Sequence, residues 1–148
     1  MWVEATKDGL DATDVLAAML LSGKFYDQVH AVLLDGLAIG GFNLIDLPQL
    51  AERLERPCVA VMRRRPNLEA IHTALAQRAD APHRRALSAR AGVIHEEEGF
   101  IFQVVGESPA VVGRALAAVT DQGRVPEPLR LAHLIGAAVK LGQSGRRA

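Results

Sequence analysis

The sequence has a single cysteine, Cys58, which excludes an intrachain disulfide and any cysteine-rich zinc cluster. No apolar run approaches the roughly 20 residues that cross a bilayer. The longest such run, residues 15–21, is alanine-rich and helical in pattern. Met1-Trp2-Val3-Glu4 carries neither the basic segment nor the apolar run of a signal peptide, so a cytoplasmic protein is expected. Aromatics are scarce at 4%, and Trp2, Phe25, Tyr26, Phe100 and Phe102 form no stacking platform of the kind that holds single strands. Charge of one sign is not in excess: 17 Lys plus Arg balance 17 Asp plus Glu. That balance excludes a uniformly basic nucleic-acid coat but permits a local basic patch. Lysine is nearly missing, with only Lys7, Lys24 and Lys140, and arginine supplies the remaining cations. The guanidinium fork suits phosphate. A GC-rich genome explains the same bias, and for the bias taken alone that is the stronger reading.

What remains is a chain of 148 residues, enough for one domain with a real core. Residues 2–6 read as a short strand. Asp11 can cap a helix over residues 12–21, with Asp14 in a capping-box-like position and a stop at Ser22-Gly23. Residues 29–34 (VHAVLL) are almost continuously apolar, as in a strand buried on both faces, and end at Asp35-Gly36. A glycine-rich turn follows, with Gly40 and Gly41. Asp46, with Gln49 three residues on, caps a helix to about residue 55, and Pro57 breaks it. Cys58–Met62 is the next buried strand, with Cys58 a small core residue. Asn67 caps a helix to about residue 78, and residues 82–90 form a weaker one. Residues 93–97 and 100–105 read as a hairpin about Glu98-Gly99. Ser108-Pro109 opens a helix through residue 119. Pro126 and Pro128 frame the start of a last helix that ends near residue 142, before a polar tail at 143–148.

Two consecutive βα units imply parallel strands with right-handed crossovers. Ligands of such sheets bind beyond the carboxyl ends of the strands. Asp35 and Arg63 are the first polar residues after two successive strands, so they should emerge side by side on that edge. A hard divalent cation needs carboxylates converging from different elements. Asp35 supplies one and Asp11 can supply another. Each has a plainer role: Asp11 as a helix cap, Asp35 as a turn residue. Arg63, Arg64 and Arg65 are either a solvated loop or a phosphate-holding run. Phe42 is either an aromatic wedge beside Asp35 or a core plug under the glycine turn. Arg124, Arg130 and His133 form a second nucleic-acid-facing wall or a packed helix start with His133 inside, the packed reading being slightly favoured. Glu127 pairs locally. His95 with Glu96, Glu97 and Glu98 resembles a metal cluster, but an acidic hairpin tip is the commoner cause of such a run. His30, His72 and His83 have no companions at ligand spacing.

Five stretches resemble the archaeal endonuclease dU family. They are Asp8-Gly9-Leu10-Asp11-Ala12-Thr13; Leu34-Asp35-Gly36 through Gly41-Phe42-Asn43-Leu44-Ile45-Asp46; and Met62-Arg63-Arg64-Arg65-Pro66-Asn67-Leu68-Glu69. They continue with Gly123-Arg124-Val125-Pro126-Glu127-Pro128-Leu129-Arg130 with Ala132-His133-Leu134-Ile135, and Gly142-Gln143-Ser144-Gly145-Arg146. The resemblance implies an α/β fold, ribonuclease H-like and endonuclease V-like, with a mixed sheet and flanking helices. It implies cleavage of DNA near a damaged base such as deoxyuridine, with magnesium or manganese held by Asp35 and Asp11. Asp35 matches the aspartate of a VDG-type motif, Asp11 matches an acidic residue opening the first helix, and Arg63 stands for a lysine after the next strand. Gly41 stands where endonuclease V has a histidine.

The family pattern begins with a further aspartate-bearing strand and its hairpin partner. This sequence starts after them, so residues 1–142 are expected to be one N-terminally incomplete domain. Two function classes follow. One is a metal-dependent endonuclease for deoxyuridine-type damage, inactive or weak as this chain, in which Asp35, Asp11 and Arg63 serve catalysis. Arg63, Arg64, Arg65, Phe42, Arg124, Arg130 and His133 then face DNA. The other is a non-catalytic remnant that binds nucleic acid or a protein. A wrongly assigned start codon would reconcile them. An unpaired edge at residues 29–34 also predicts pairing of copies into a homo-oligomer.

Overall fold

In the computed structural model, which describes residues 1–142, the apolar runs become strands and the capped segments become helices. In chain order they are α1 (Ala12–Leu21), a 3-10 turn (Tyr26–Gln28), β1 (Val32–Asp35), β2 (Ala38–Ile39), β3 (Asn43–Leu44) and α2 (Leu47–Leu54). Then come β4 (Cys58–Met62), α3 (Leu68–Leu75), α4 (Ala81–Arg90), β5 (His95–Glu97), β6 (Phe100–Val105), α5 (Pro109–Ala118) and α6 (Glu127–Leu141). The tail at 143–148 lies outside the described residues.

The fold is mixed α/β. One sheet has the order β1-β4-β6-β5, and β2 and β3 make a separate two-stranded ribbon. β1 and β4 are parallel neighbours, as the two βα units require, with Val32 opposite Cys58 and Asp35 opposite Val61. β6 runs antiparallel to both β4 and β5. The β5–β6 turn is formed by Glu98 (φ 51°) and Gly99 (φ 79°). Two left-handed residues in a row fit the right-handed twist of a tight hairpin.

Alternation along the strands divides the core. Val32, Leu34, Cys58 and Ala60 pack toward α1 and α2, against Ala17, Leu47, Leu50 and Leu54. Val59, Val61, Phe100 and Phe102 pack on the other face against Val112 and Leu116 of α5 and Leu129 of α6. Cys58 is a buried core thiol, pushed up to about 12 by burial, so it stays protonated and unreactive. Asp46 and Asn67 cap α2 and α3 through bonds from Gln49 N (3.2 Å) and Ala70 N (3.0 Å).

Four expectations are corrected. Residues 2–6 form no strand, and Trp2 is 61% exposed. Among the described residues no strand pairs with them, and an unpaired strand has no partners for its backbone polar groups. β1 begins at Val32, because the Val29 carbonyl is taken by Arg56 Nε (2.7 Å) and the ladder opens at Val32 N to Pro57 O (2.8 Å). Asp11 makes no side-chain cap on α1, and Asp14 pairs with Arg53 instead of closing a capping box. The α3 helix also stops early, at Leu75, before Arg78 turns back into the body.

Candidate nucleic-acid interface

β1 and β4 end together, and the residues just past them share one edge. Gly36 turns the chain at φ 84°, and its N–H bonds to Val61 O at 2.8 Å, tying the end of β1 to β4. Asp35 and Arg63 are half-exposed there, with Arg63 Nη2 3.5 Å from Asp35 Oδ2. Arg64 is exposed, and Arg65 Nη2 lies 3.7 Å from Glu96 Oε2 across the sheet end. Contacts this long between exposed groups are weak. The arginine run is therefore a set of loosely held cations that an anion can recruit.

Asp11 belongs to a different assembly. Its carboxylate accepts from Thr6 N (3.2 Å), Thr6 Oγ1 (2.6 Å) and Asn43 Nδ2 (2.5 Å). These bonds, Thr6 first and Asn43 next, hold its pKa below the ordinary aspartate value. Asn43 also donates to Thr6 O (2.9 Å) and accepts from Ala12 N (3.0 Å). Asp8 Oδ1 accepts from Phe42 N (2.9 Å), and Thr13 Oγ1 accepts from Asp46 N (2.9 Å). The segments 8–13 and 40–46 are thus two halves of one hydrogen-bonded lock.

Arg84 closes that lock. It is 1% exposed, on the buried stripe of α4 with Ala81 and Leu87. Its Nη1 donates to Gly9 O (3.1 Å) and to Phe42 O. Its Nη2 donates to Asp8 O (2.7 Å) and Asp80 Oδ2 (2.5 Å). Arg78 adds bonds to Asp8 O (3.3 Å) and Asp80 Oδ1 (3.2 Å) and sits 6.0 Å from the Phe42 ring centre. Phe42 is half-buried, pinned from both backbone sides. Sequence reasoning missed Arg84, Asp80 and Asn43. The available signal was an arginine on the buried stripe of a helix, because a buried cation needs partners.

Asp80 gives this lock a pH dependence. The hydrogen bond from Arg84, with a further one from Arg78, lowers its pKa to about 2. A depressed carboxylate contributes stability that is complete above its unfolded pKa, about 4, and is lost as pH falls through the folded value. Thermal melts should therefore show the parent losing stability between about pH 4 and pH 2. The loss across that window should be smaller in Asp80→Asn. Equal loss in both would contradict the assignment.

The edge borders a cavity of about 840 Å³, lined by Gly36, Phe42, Met62, Arg65, Ile94 and Gln103 among others. Phe42 therefore both plugs the turn and walls the cavity. The C-terminal candidates lie elsewhere. Pro128, Leu129 and Ala132 line a different cavity, about 420 Å³, with His30, Ala31 and Pro57. Those last three precede β1 and β4, so the first turns of α6 sit at the opposite end of the strands from Asp35. Arg130 pairs with Glu127 (Nη2–Oε2 2.5 Å), which lowers the pKa of Glu127 and raises that of Arg130. Arg124 and His133 are exposed, so His133 is not held inside the helix start. No hydrogen bond or ion pair joins these three to Asp35 or the arginine run among the described residues. Glu96, Glu97 and Glu98 lie at the hairpin, and the His95 ring contacts Phe102 at 6.0 Å between centres.

The magnesium or manganese implied by the resemblance can be tested against the donors present. Among the described residues no three His, Cys, Asp or Glu side chains are grouped to hold a metal ion. Asp35 is paired by Arg63, and Asp11 is engaged by Thr6 and Asn43, with no shared partner joining the two carboxylates. Among the described residues Asp11 and Asp35, each with its own partners, do not by themselves make a three-ligand site.

No helix among the described residues is long and apolar enough to cross a membrane. The family model described as Endonuclease dU matches residues 1–140. A UPF0215 protein of Methanosarcina barkeri is 38% identical over 149 residues, covering 98% of this chain and 77% of that protein. A UPF0215 protein of Archaeoglobus fulgidus is 34% identical over 148 residues, covering 100% and 82%. A crystal structure of a protein of unknown function from Archaeoglobus fulgidus aligns with a TM-score of 0.88 at 35% identity, over 93% of this chain and 79% of that one.

Proposed function

Because this chain belongs to the endonuclease dU family, we propose that it is a nuclease-like protein that docks damaged DNA on the edge where β1 and β4 end. The observation that carries this reading is the row of loosely paired arginines beside Asp35, next to a cavity of nucleotide size. Ligand cavities run to about 300–1,000 Å³. Arg63, Arg64 and Arg65 hold flanking phosphates, which position the strand without reading its sequence. Asp35 aims Arg63 in the free protein and releases it to phosphate. Phe42, fixed by the Arg84 lock, offers a rigid ring to an unstacked base. The finer fold reading, ribonuclease H-like and endonuclease V-like, is part of the same proposal.

Binding and cutting separate in this reading. In-line displacement at phosphorus needs carboxylates that fix an ion between nucleophile and leaving oxygen. Asp11 and Asp35 do not make that centre, so no cleavage step is assigned to them alone. The test is a nicking assay on a uracil-containing duplex with magnesium or manganese, run on this chain and on Asp35→Ala. Retained duplex without nicks above background, for both proteins, is expected. Metal-dependent nicks that vanish in Asp35→Ala would overturn the separation and return Asp35 to a cutting role.

A further inference from the structure

One polar side chain interrupts an otherwise apolar strand. Gln103 stands in β6 among Phe100, Phe102, Val104 and Val105, opposite Ala60 of β4, and is 5% exposed. It lines the cavity of about 840 Å³ beside Gly36 and Met62. Its Nε2 donates to Gly92 O at 2.7 Å. A backbone carbonyl can only accept, so this bond settles which end of the amide is the NH2 group. Oε1 is then the acceptor, and no donor reaches it among the described residues. Arg84 Nε is the one polar side-chain atom among them that is both sealed from solvent and without a partner. Gln103 Oε1 is therefore not sealed from solvent, and Gln103 is a lining residue of the cavity. An acceptor open to a cavity can be met by water until a ligand N–H takes the water's place.

We propose that Gln103 is the specificity-determining residue of this cavity, accepting a hydrogen bond from the ring N–H of a planar heterocycle that carries a carbonyl beside it. The proposal deepens the DNA-docking reading and rests on it for the source of that ring. Phe42, Met62, Leu37 and Ile94 give apolar walls, which suit a neutral flat group. The Gly92 bond keeps the amide from flipping to present a donor instead.

This chemistry has a direct consequence. Hydrolytic loss of the exocyclic amine turns cytosine into uracil and adenine into hypoxanthine. In both cases a ring nitrogen that was an acceptor becomes an N–H donor. A fixed acceptor therefore meets a donor on either deaminated base and a repelling lone pair on either parent. Thymine and guanine also carry such an N–H. They are withheld by pairing, because extruding a base costs least where it is mismatched or damaged.

The test uses labelled single strands with one variable position in a background of cytosine and adenine, which removes the pairing term. The variable position is uracil, hypoxanthine, 3-methyluracil, cytosine or an abasic residue. In parallel, 2′-deoxyuridine and 3-methyl-2′-deoxyuridine are titrated as free nucleosides. We expect uracil and hypoxanthine strands to bind about tenfold tighter than the other three, the effect of one desolvated hydrogen bond. Gln103→Met should level the series while leaving abasic-strand affinity unchanged. Ala89→Trp, at an exposed position of α4 on the cavity wall, keeps Gln103 and its bond to Gly92. It should also level the series, and it decides the matter if Gln103→Met does not fold. Equal affinity of the parent for uracil, 3-methyluracil and abasic strands would overturn the role of Gln103 and leave DNA docking standing. Preference for 2′-deoxyuridine over its 3-methyl form, without retention of any strand, would support Gln103 and overturn DNA docking. Failure of both strands and nucleosides to bind overturns both.

Discussion

Replacing Arg84 by methionine should destabilise the protein by about 3 kcal/mol, the scale of breaking a buried charge network by removing one partner. The substitution keeps a long apolar stem on the buried stripe of α4 but strips donors from Gly9 O, Phe42 O, Asp8 O and the Asp80 carboxylate. Those carbonyls lie in segments far apart in sequence, so the loss is not local to α4. For a domain of this size the shift in melting temperature should be about 10 °C. Arg84→Lys should recover little of it, because one ammonium cannot span acceptors that two guanidinium nitrogens divide between them. Circular dichroism melts of the parent and both variants decide the matter. A melting temperature within about 2 °C of the parent for Arg84→Met would show that the lock is not what holds these segments.

Removing the arginine run should abolish most of the salt dependence of DNA binding. If Arg63, Arg64 and Arg65 each neutralise one phosphate, the logarithm of affinity falls with that of salt at a slope of about −2.7. Between 50 and 200 mM salt the parent should then lose roughly 40-fold in affinity. Arg63→Ala alone should lower the slope by about 1, uniformly across sequences. The triple alanine variant should bind weakly and almost independently of salt. Since the three side chains are half-exposed or exposed and only loosely paired, their removal should leave folding intact, and a melt checks that. A triple variant with the parent's slope would move the phosphate contacts off this edge.

Much of the sheet could be read in the sequence because its central strands are apolar runs bounded by hard stops. Cys58–Met62 ends at three arginines, and the run before Asp35 ends at a glycine, so parallel pairing and a shared edge followed from the crossover rule alone. The short β2–β3 ribbon was not legible, since two residues per strand leave no periodicity to detect. Residues 2–6 have strand-like composition, but a strand exists only through its neighbour. The site was legible at Asp35 and Arg63, which local rules place. It was not legible at Asp11, whose partners are Thr6 and Asn43, one of them 32 positions away. Nor could the sequence show that Arg84 reaches back 75 and 76 positions to Gly9 and Asp8. Long-range bonds of this kind are set by tertiary packing. Gln103 carried a visible signal, a lone amide inside an apolar strand, which went unread because single polar residues in strands usually find a backbone partner. Here only half of the amide does.

The placement of DNA on this edge is tested most directly by a map of backbone amide chemical shifts as a short uracil-containing strand is added to the labelled protein. The largest changes are expected at Gly36, Arg63, Arg64 and Arg65, with a second group at Phe42 and Gln103. Little change is expected at His30, Ala115 and Ala132, around the cavity at the other end of the strands. Changes confined to that second cavity, or no changes at all, would contradict the placement of DNA on the edge where β1 and β4 end.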